Sequence, residues 1–151
     1  MELVYKIVNG AHSGLRYVVI ALVLVAIIQA LGKRRSGEVY PEKNKLGLYA
    51  FMATHVQLLL GLILYLFLTQ KFDFSDFDMS NAVERYYGVE HITGMIIGIA
   101  LITVGYIRAK KQAGINKGWK TIALFYTLGL LLILAMIPWP FLRPEMGAGY
   151  F

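Results

Sequence analysis

Apolar residues in this chain gather into four long runs separated by three polar segments. The runs cover about residues 11–31, 46–69, 87–107 and 121–138. Lys33, Arg34 and Arg35 stop the first. Pro138 and Pro140 end the fourth, because proline cannot donate to the helical ladder. Each run approaches the ~20 residues that a helix needs to cross ~30 Å of hydrocarbon. None alternates as a barrel strand would, and in lipid every backbone amide needs an internal partner, so helices are the expected form. The pattern predicts an all-α fold, an integral membrane four-helix bundle that makes one transmembrane domain of residues 1–151.

The charges orient this bundle. Loop one carries Lys33, Arg34, Arg35, Lys43 and Lys45, and loop three with its flank carries Arg108, Lys110, Lys111, Lys117 and Lys120. Loop two instead carries Asp73, Asp76, Asp78 and Glu84 against Lys71 and Arg85. Cytoplasmic loops are enriched in Lys and Arg, so loops one and three are expected in the cytoplasm and both the N-terminus and the C-terminus outside it. The net charge of +6 is thus divided between two short loops. It forms no basic face of the kind that binds nucleic acid, which is not an expected partner. Composition agrees, with 58% hydrophobic and 16% charged residues against roughly 25% charged in soluble domains. The absence of cysteine excludes a disulfide, a thiolate metal site or an iron–sulfur cluster within the chain. The first run follows no basic n-region and precedes no small-residue cleavage site, so it is expected to persist as a helix.

Local signals refine the ends. Tyr86, Tyr87, Trp119 and Trp139 fall at predicted span ends, where amphipathic rings favour the headgroup layer. Phe72, Phe74 and Phe77 alternate with acids in loop two, a pattern expected to lie on the membrane surface. Asn81 followed by Glu84 reads as a capping box that starts the third helix before it enters the membrane near Tyr87.

Few ionisable groups lie inside the runs: His12, Arg16, His55, Glu90 and His91. Such groups are costly in hydrocarbon and point to function. At ~1.5 Å per residue, His12 and His91 sit at similar height near the outer edge, with His55 roughly 10–15 Å deeper. Equal height on two helices is what bis-imidazole ligation of one haem iron requires, so His12 and His91 are the candidate metal ligands. Arg16, one turn below His12, needs an anion if buried, either a haem propionate or Glu90; alternatively it snorkels to the headgroups. Glu90 can equally be a surface partner of Arg85. His91, Gly94 and Gly98 share one stripe, along which a neighbouring helix or a flat macrocycle could approach the backbone. His55 is expected to face the bundle interior, bonded to a Thr, Tyr or Gln side chain or to a cofactor.

These residues form a wider pattern: His12-Ser13-Gly14-Leu15-Arg16 opening the first run, His55-Val56-Gln57-Leu58-Leu59-Leu60-Gly61 in the second, Glu90-His91 opening the third, and the closing Ile137-Pro138-Trp139-Pro140-Phe141. Over nearly its whole length the chain resembles a family of short four-helix bacterial membrane proteins labelled cytochrome b-like. The resemblance implies a haem b bundle in the bacterial inner membrane, attached to respiratory or quinone-linked electron transfer, with His12, His55 and His91 as candidate ligands and Arg16 beside them. Bis-histidine di-haem bundles need four histidines and this chain has three, so at most one haem per chain is expected. A second would need Met52, Met95, Met136 or a partner chain as ligand. The expected partners are membrane lipid, other membrane protein subunits and quinone. The alternative, from another functional class, is a non-catalytic accessory subunit that packs against a larger membrane complex.

Overall fold

The computed structural model describes residues 2–147. Met1 and Phe151, the two ends expected outside the cytoplasm, lie outside the described residues. Four helices are long and apolar enough to cross a membrane: α1 (Glu2–Arg35), α2 (Lys45–Leu68), α3 (Ala82–Lys110) and α4 (Lys117–Met136). No strand occurs among the described residues.

Helix α1 begins at Glu2, not near residue 11 as the apolar run suggests. Glu2 complements the helix N-terminus and pairs with Lys6 one turn on, at 2.7 Å. Neither Gly10 nor Gly14 breaks the helix, so its 34 residues extend roughly 51 Å, well beyond a hydrocarbon core. Helix α3 starts where the capping signal places it. Asn81 Oδ1 accepts from the Val83 and Glu84 amides, at 3.0 and 3.4 Å. The reciprocal arm differs from a full capping box: Glu84 takes the Asn81 side-chain amide at 2.9 Å and the Asp78 amide at 3.0 Å. In the same loop the Ser80 hydroxyl and amide hold the Asp78 carboxyl below its ordinary pKa.

Around the bundle, α1 lies beside α2 and α4, while α3 packs closely on α4 and more loosely on α2, so α1 and α3 stand diagonally opposite. The α3–α4 seam is made by glycines. A side chain on Gly129 would stand 2.8 Å from the Gly98 carbonyl, and one on Gly105 would meet Phe125 Cβ at 2.5 Å. Between helices in lipid, such close backbone approach supplies the packing that hydrophobic burial cannot. Tyr126, fully buried on α4, donates to the Gly47 carbonyl of α2 at 2.7 Å and ties the diagonal pair.

Loops one and three meet at one end. The Gly114 amide donates to the Tyr40 carbonyl at 2.8 Å, and Asn116 Nδ2 donates to the Glu38 carbonyl at 2.7 Å. Gly37 and Gly114 turn the two loops with φ of 76° and 80°, a region that side chains disfavour. At the other end the short 3₁₀ turn Pro144–Met146 meets loop two and α3: Lys71 Nζ donates to the Gly147 carbonyl at 3.3 Å, and Tyr87 OH to the Met146 carbonyl at 3.2 Å. The solid apolar core occupies the half nearer the basic loops, with Val23, Ala26 and Ala30 of α1 against Ile102 of α3 and Ile122 of α4.

Trp119 and Tyr86, at the ends of α4 and α3, are buried within the chain, at 3% and 1% exposed. Trp119 stacks edge-on with Tyr40, and Tyr86 donates to the Met136 carbonyl at 2.6 Å, so packing and a hydrogen bond hold each ring inward. In loop two Phe72 and Phe77 are half-buried while Phe74 is exposed. Phe72, Phe74 and Phe77 cluster with Tyr65 of α2, and Phe77 fills the notch left by Gly88.

Candidate cofactor site

The half of the bundle away from the basic loops is not filled. One stripe of α1 carries Tyr5, Asn9, His12 and Arg16, at helical spacing, and continues as Val19, Val23, Ala26 and Ala30. The stripe is polar where the bundle is open and apolar where it is closed. The upper part lines a cavity of about 210 Å³ together with residues from all four helices and loop two. Two π-helical turns shape it. The end of α2 (Leu64–Leu68) and the start of α3 (Tyr86–Glu90) each bond from residue i to i+5, one residue further than an α-helix, which widens the turn. Tyr65 OH, at the first, donates to the Gly88 carbonyl of the second at 2.8 Å.

His12 and His91 both line this cavity, from diagonal helices. His91 Nδ1 is 2.8 Å from the Met136 carbonyl, at the end of α4 where helical carbonyls lack intrahelical partners. A carbonyl only accepts, so Nδ1 carries the proton, and in the neutral ring Nε2 keeps its lone pair. That is the arrangement by which proteins orient a histidine ligand and raise its basicity. His12 packs over Gly61 of α2, with its ring carbon 3.1 Å from where a side chain there would begin. Gln57 Nε2 donates to the His12 carbonyl at 2.8 Å. His12 Nδ1 and Gln57 Oε1 are both buried with no hydrogen-bond partner among the described residues. Each such atom costs about 1–3 kcal/mol while it stays unsatisfied, which favours a guest in the cavity.

Arg16 lines the same cavity one turn from His12, its guanidinium 5.1 Å from the Tyr17 ring centre. Glu90 is not its anion, since Glu90 pairs with Arg85 at 3.0 Å on the surface. Lys71 adds a second cation at the mouth. The glycine stripe beside His91 is not a groove for a macrocycle. Gly94 is filled by Met136 and Gly98 by Ile133 and the Gly129 backbone, all from α4. This leaves Met95 as the methionine of α3 that reaches the cavity, while Met52 is exposed.

His55 stands apart, outside the cavity lining. Its Nδ1 donates to the Phe51 carbonyl at 2.7 Å, and its Nε2 faces Thr103 Oγ1 of α3 at 3.3 Å. The Thr103 hydroxyl also reaches the Ile99 carbonyl at 2.8 Å and divides its one proton between the two. Both ring nitrogens are thus engaged within the protein. His55→Leu is expected to cost about 0.6 kcal/mol, the mean for an interhelical hydrogen bond in a membrane protein, read as a small drop in thermal midpoint in detergent.

Among the described residues no three or more of His, Asp and Glu come together as a metal site; the candidate ligand set is the pair His12 and His91. Their chemistry is of the kind a haem site uses. Two imidazoles face one cavity, His91 is already oriented by a backbone acceptor, apolar Ile92, Met95, Ile99 and Ile133 line the wall, and Arg16 and Lys71 can meet carboxylates. The chain matches no family model, no curated protein and no solved structure. Tyr65 carries no signal in the sequence, and Gln57 and Gly61, though part of the second run's motif, gain their places beside His12 only in the structure. A signal for these two is present, since Gln57 and Gly61 sit one turn apart on α2 and Gln57 is polar in an otherwise apolar stretch.

Proposed function

We propose that this protein is a small integral membrane cytochrome of b type, with one haem per chain held by His12 and His91, serving electron transfer or supporting a respiratory complex in the bacterial inner membrane. The observation that carries the reading is the pair of histidines from diagonal helices on one cavity, one of them with Nδ1 committed to the Met136 carbonyl. Haem would supply a one-electron couple in a low-dielectric site. The protein's part is to present His91 Nε2 as a lone pair, to exclude water with Ile92, Ile99 and Ile133, and to offset propionate charge with Arg16 and Lys71.

The decisive experiment is the optical spectrum of protein purified in mild detergent from cells supplied with haem precursor. A Soret band that shifts on reduction, with one haem per chain, is expected. A colourless protein under these conditions would exclude the cytochrome and leave the accessory subunit, whose partners co-purification would then identify.

The orientation follows from the basic loops, which share one end of the bundle. A reporter fused after Phe151 is expected to be active outside the cytoplasm, and a cysteine at Ser36 to be shielded from impermeant label added outside. A cytoplasmic C-terminus would reverse the topology.

A further inference from the structure

A second recess lies at the opposite end of the bundle, between the foot of α1, the N-terminus of α2 and the start of α4. It is a groove of about 490 Å³, and its walls include Gln29, Lys33, Lys43, Lys45, Tyr49 and Trp119. Lys33 is engaged by Glu38 at 2.7 Å, a contact that holds the Glu38 carboxyl below its ordinary pKa. Lys43 and Lys45 make no ion pair among the described residues, so the groove keeps two uncompensated ammonium groups. Two of its lining residues carry buried unsatisfied atoms of opposite kind. Trp119 is 3% exposed and its indole N–H has no acceptor, and Gln29 Oε1 is buried with no donor. Tyr49 of α2 and Val39 of loop one also line it and are exposed, 54% and 59%.

We propose that this groove binds an anionic glycerophospholipid whose headgroup also carries hydroxyls, as phosphatidylglycerol does. The chemistry matches point by point. The phosphodiester meets Lys43 and Lys45, a headgroup or ester oxygen accepts from the Trp119 N–H, a headgroup hydroxyl donates to Gln29 Oε1, and the acyl chains run along the exposed face beside Tyr49. Basic recesses between helices at the cytoplasmic face bind such lipids because surface lysines there each contribute about 1 kcal/mol. The proposal rests on the chain lying in a membrane and is independent of haem.

Trp119 and Trp139 are the two tryptophans of the chain, so W139F leaves Trp119 as the sole reporter. In detergent, phosphatidylglycerol is expected to shift Trp119 emission saturably and to raise the thermal midpoint, with phosphatidylcholine needing far higher concentrations. K43Q/K45Q on this background is expected to weaken the phosphatidylglycerol response about thirtyfold, the equivalent of roughly 2 kcal/mol, while K43R/K45R keeps it. Equal responses to the two lipids in the parent protein would overturn the proposal, and this comparison needs no variant to fold. A response reproduced by inorganic phosphate alone would make the groove a free-anion site and also overturn it. So would K43Q/K45Q binding like the parent.

Discussion

Alanine at His91 is expected to remove the haem spectrum from the purified protein, with alanine at His12 doing the same and alanine at His55 leaving it intact. The reason is positional. His12 and His91 line one cavity from opposite sides of the bundle, whereas His55 lies outside it with Nδ1 bonded to Phe51 and Nε2 to Thr103. His91 should matter most, because its Nδ1–H···O=C bond to Met136 fixes both ring orientation and tautomer. Imidazole added to H91A is expected to restore part of the Soret band by occupying the space the ring leaves. Helix content by circular dichroism should stay near the parent's in both variants, which separates ligand loss from unfolding. If H55A bleaches the protein and H12A does not, the ligand assignment fails. If no preparation binds haem, the cytochrome reading itself fails.

Valine at Gly129 is expected to unfold the bundle at temperatures the parent survives. The first carbon of any side chain there would stand 2.8 Å from the Gly98 carbonyl oxygen and 2.8 Å from Ile102 Cγ1. The first of these is backbone and cannot rotate away, so α4 must move off α3. Overpacking in a well-filled core costs about 1–3 kcal/mol, and displacing the tightest seam of the bundle puts this change at or above the top of that range. Gly10→Ala is the control: it is exposed on α1 and nothing stands within 4 Å of a side chain there. Alanine in place of glycine favours a helix by about 1 kcal/mol, so G10A should be neutral or slightly stabilising. Thermal unfolding in detergent reads both; a G129V midpoint equal to the parent's would mean that α3 and α4 do not meet through these glycines.

The cavity was half legible in the sequence. Polar residues at helical spacing on α1, from Asn9 through His12 to Arg16, give way to Val19, Val23 and Ala26 on the same stripe, and that change of character marks a buried polar compartment without any coordinates. The matched height of His12 and His91 followed from counting residues in from the ends of two apolar runs. The partner of each group did not follow. Glu90 went to Arg85 and not to Arg16, and Gly94 and Gly98 received α4 and not a macrocycle. His55 found Thr103 across the bundle, and Gln57 and Gly61 came to frame His12.

The sequence by itself determined four helices, their breaks at the prolines and basic clusters, and the end of the bundle to which each loop belongs. Length, apolarity and charge fix those along the chain, one segment at a time. Only the tertiary structure decided how far each helix is rotated about its own axis, and so which side chains meet. In a soluble helix the apolar stripe reports that rotation. Here α2 and α3 are apolar nearly all round, so no stripe reports it. Close contact between Gly98 and Gly129 sets how α3 faces α4, and the packing of His12 over Gly61 sets how α1 faces α2; together they bring His12 and His91 to one cavity.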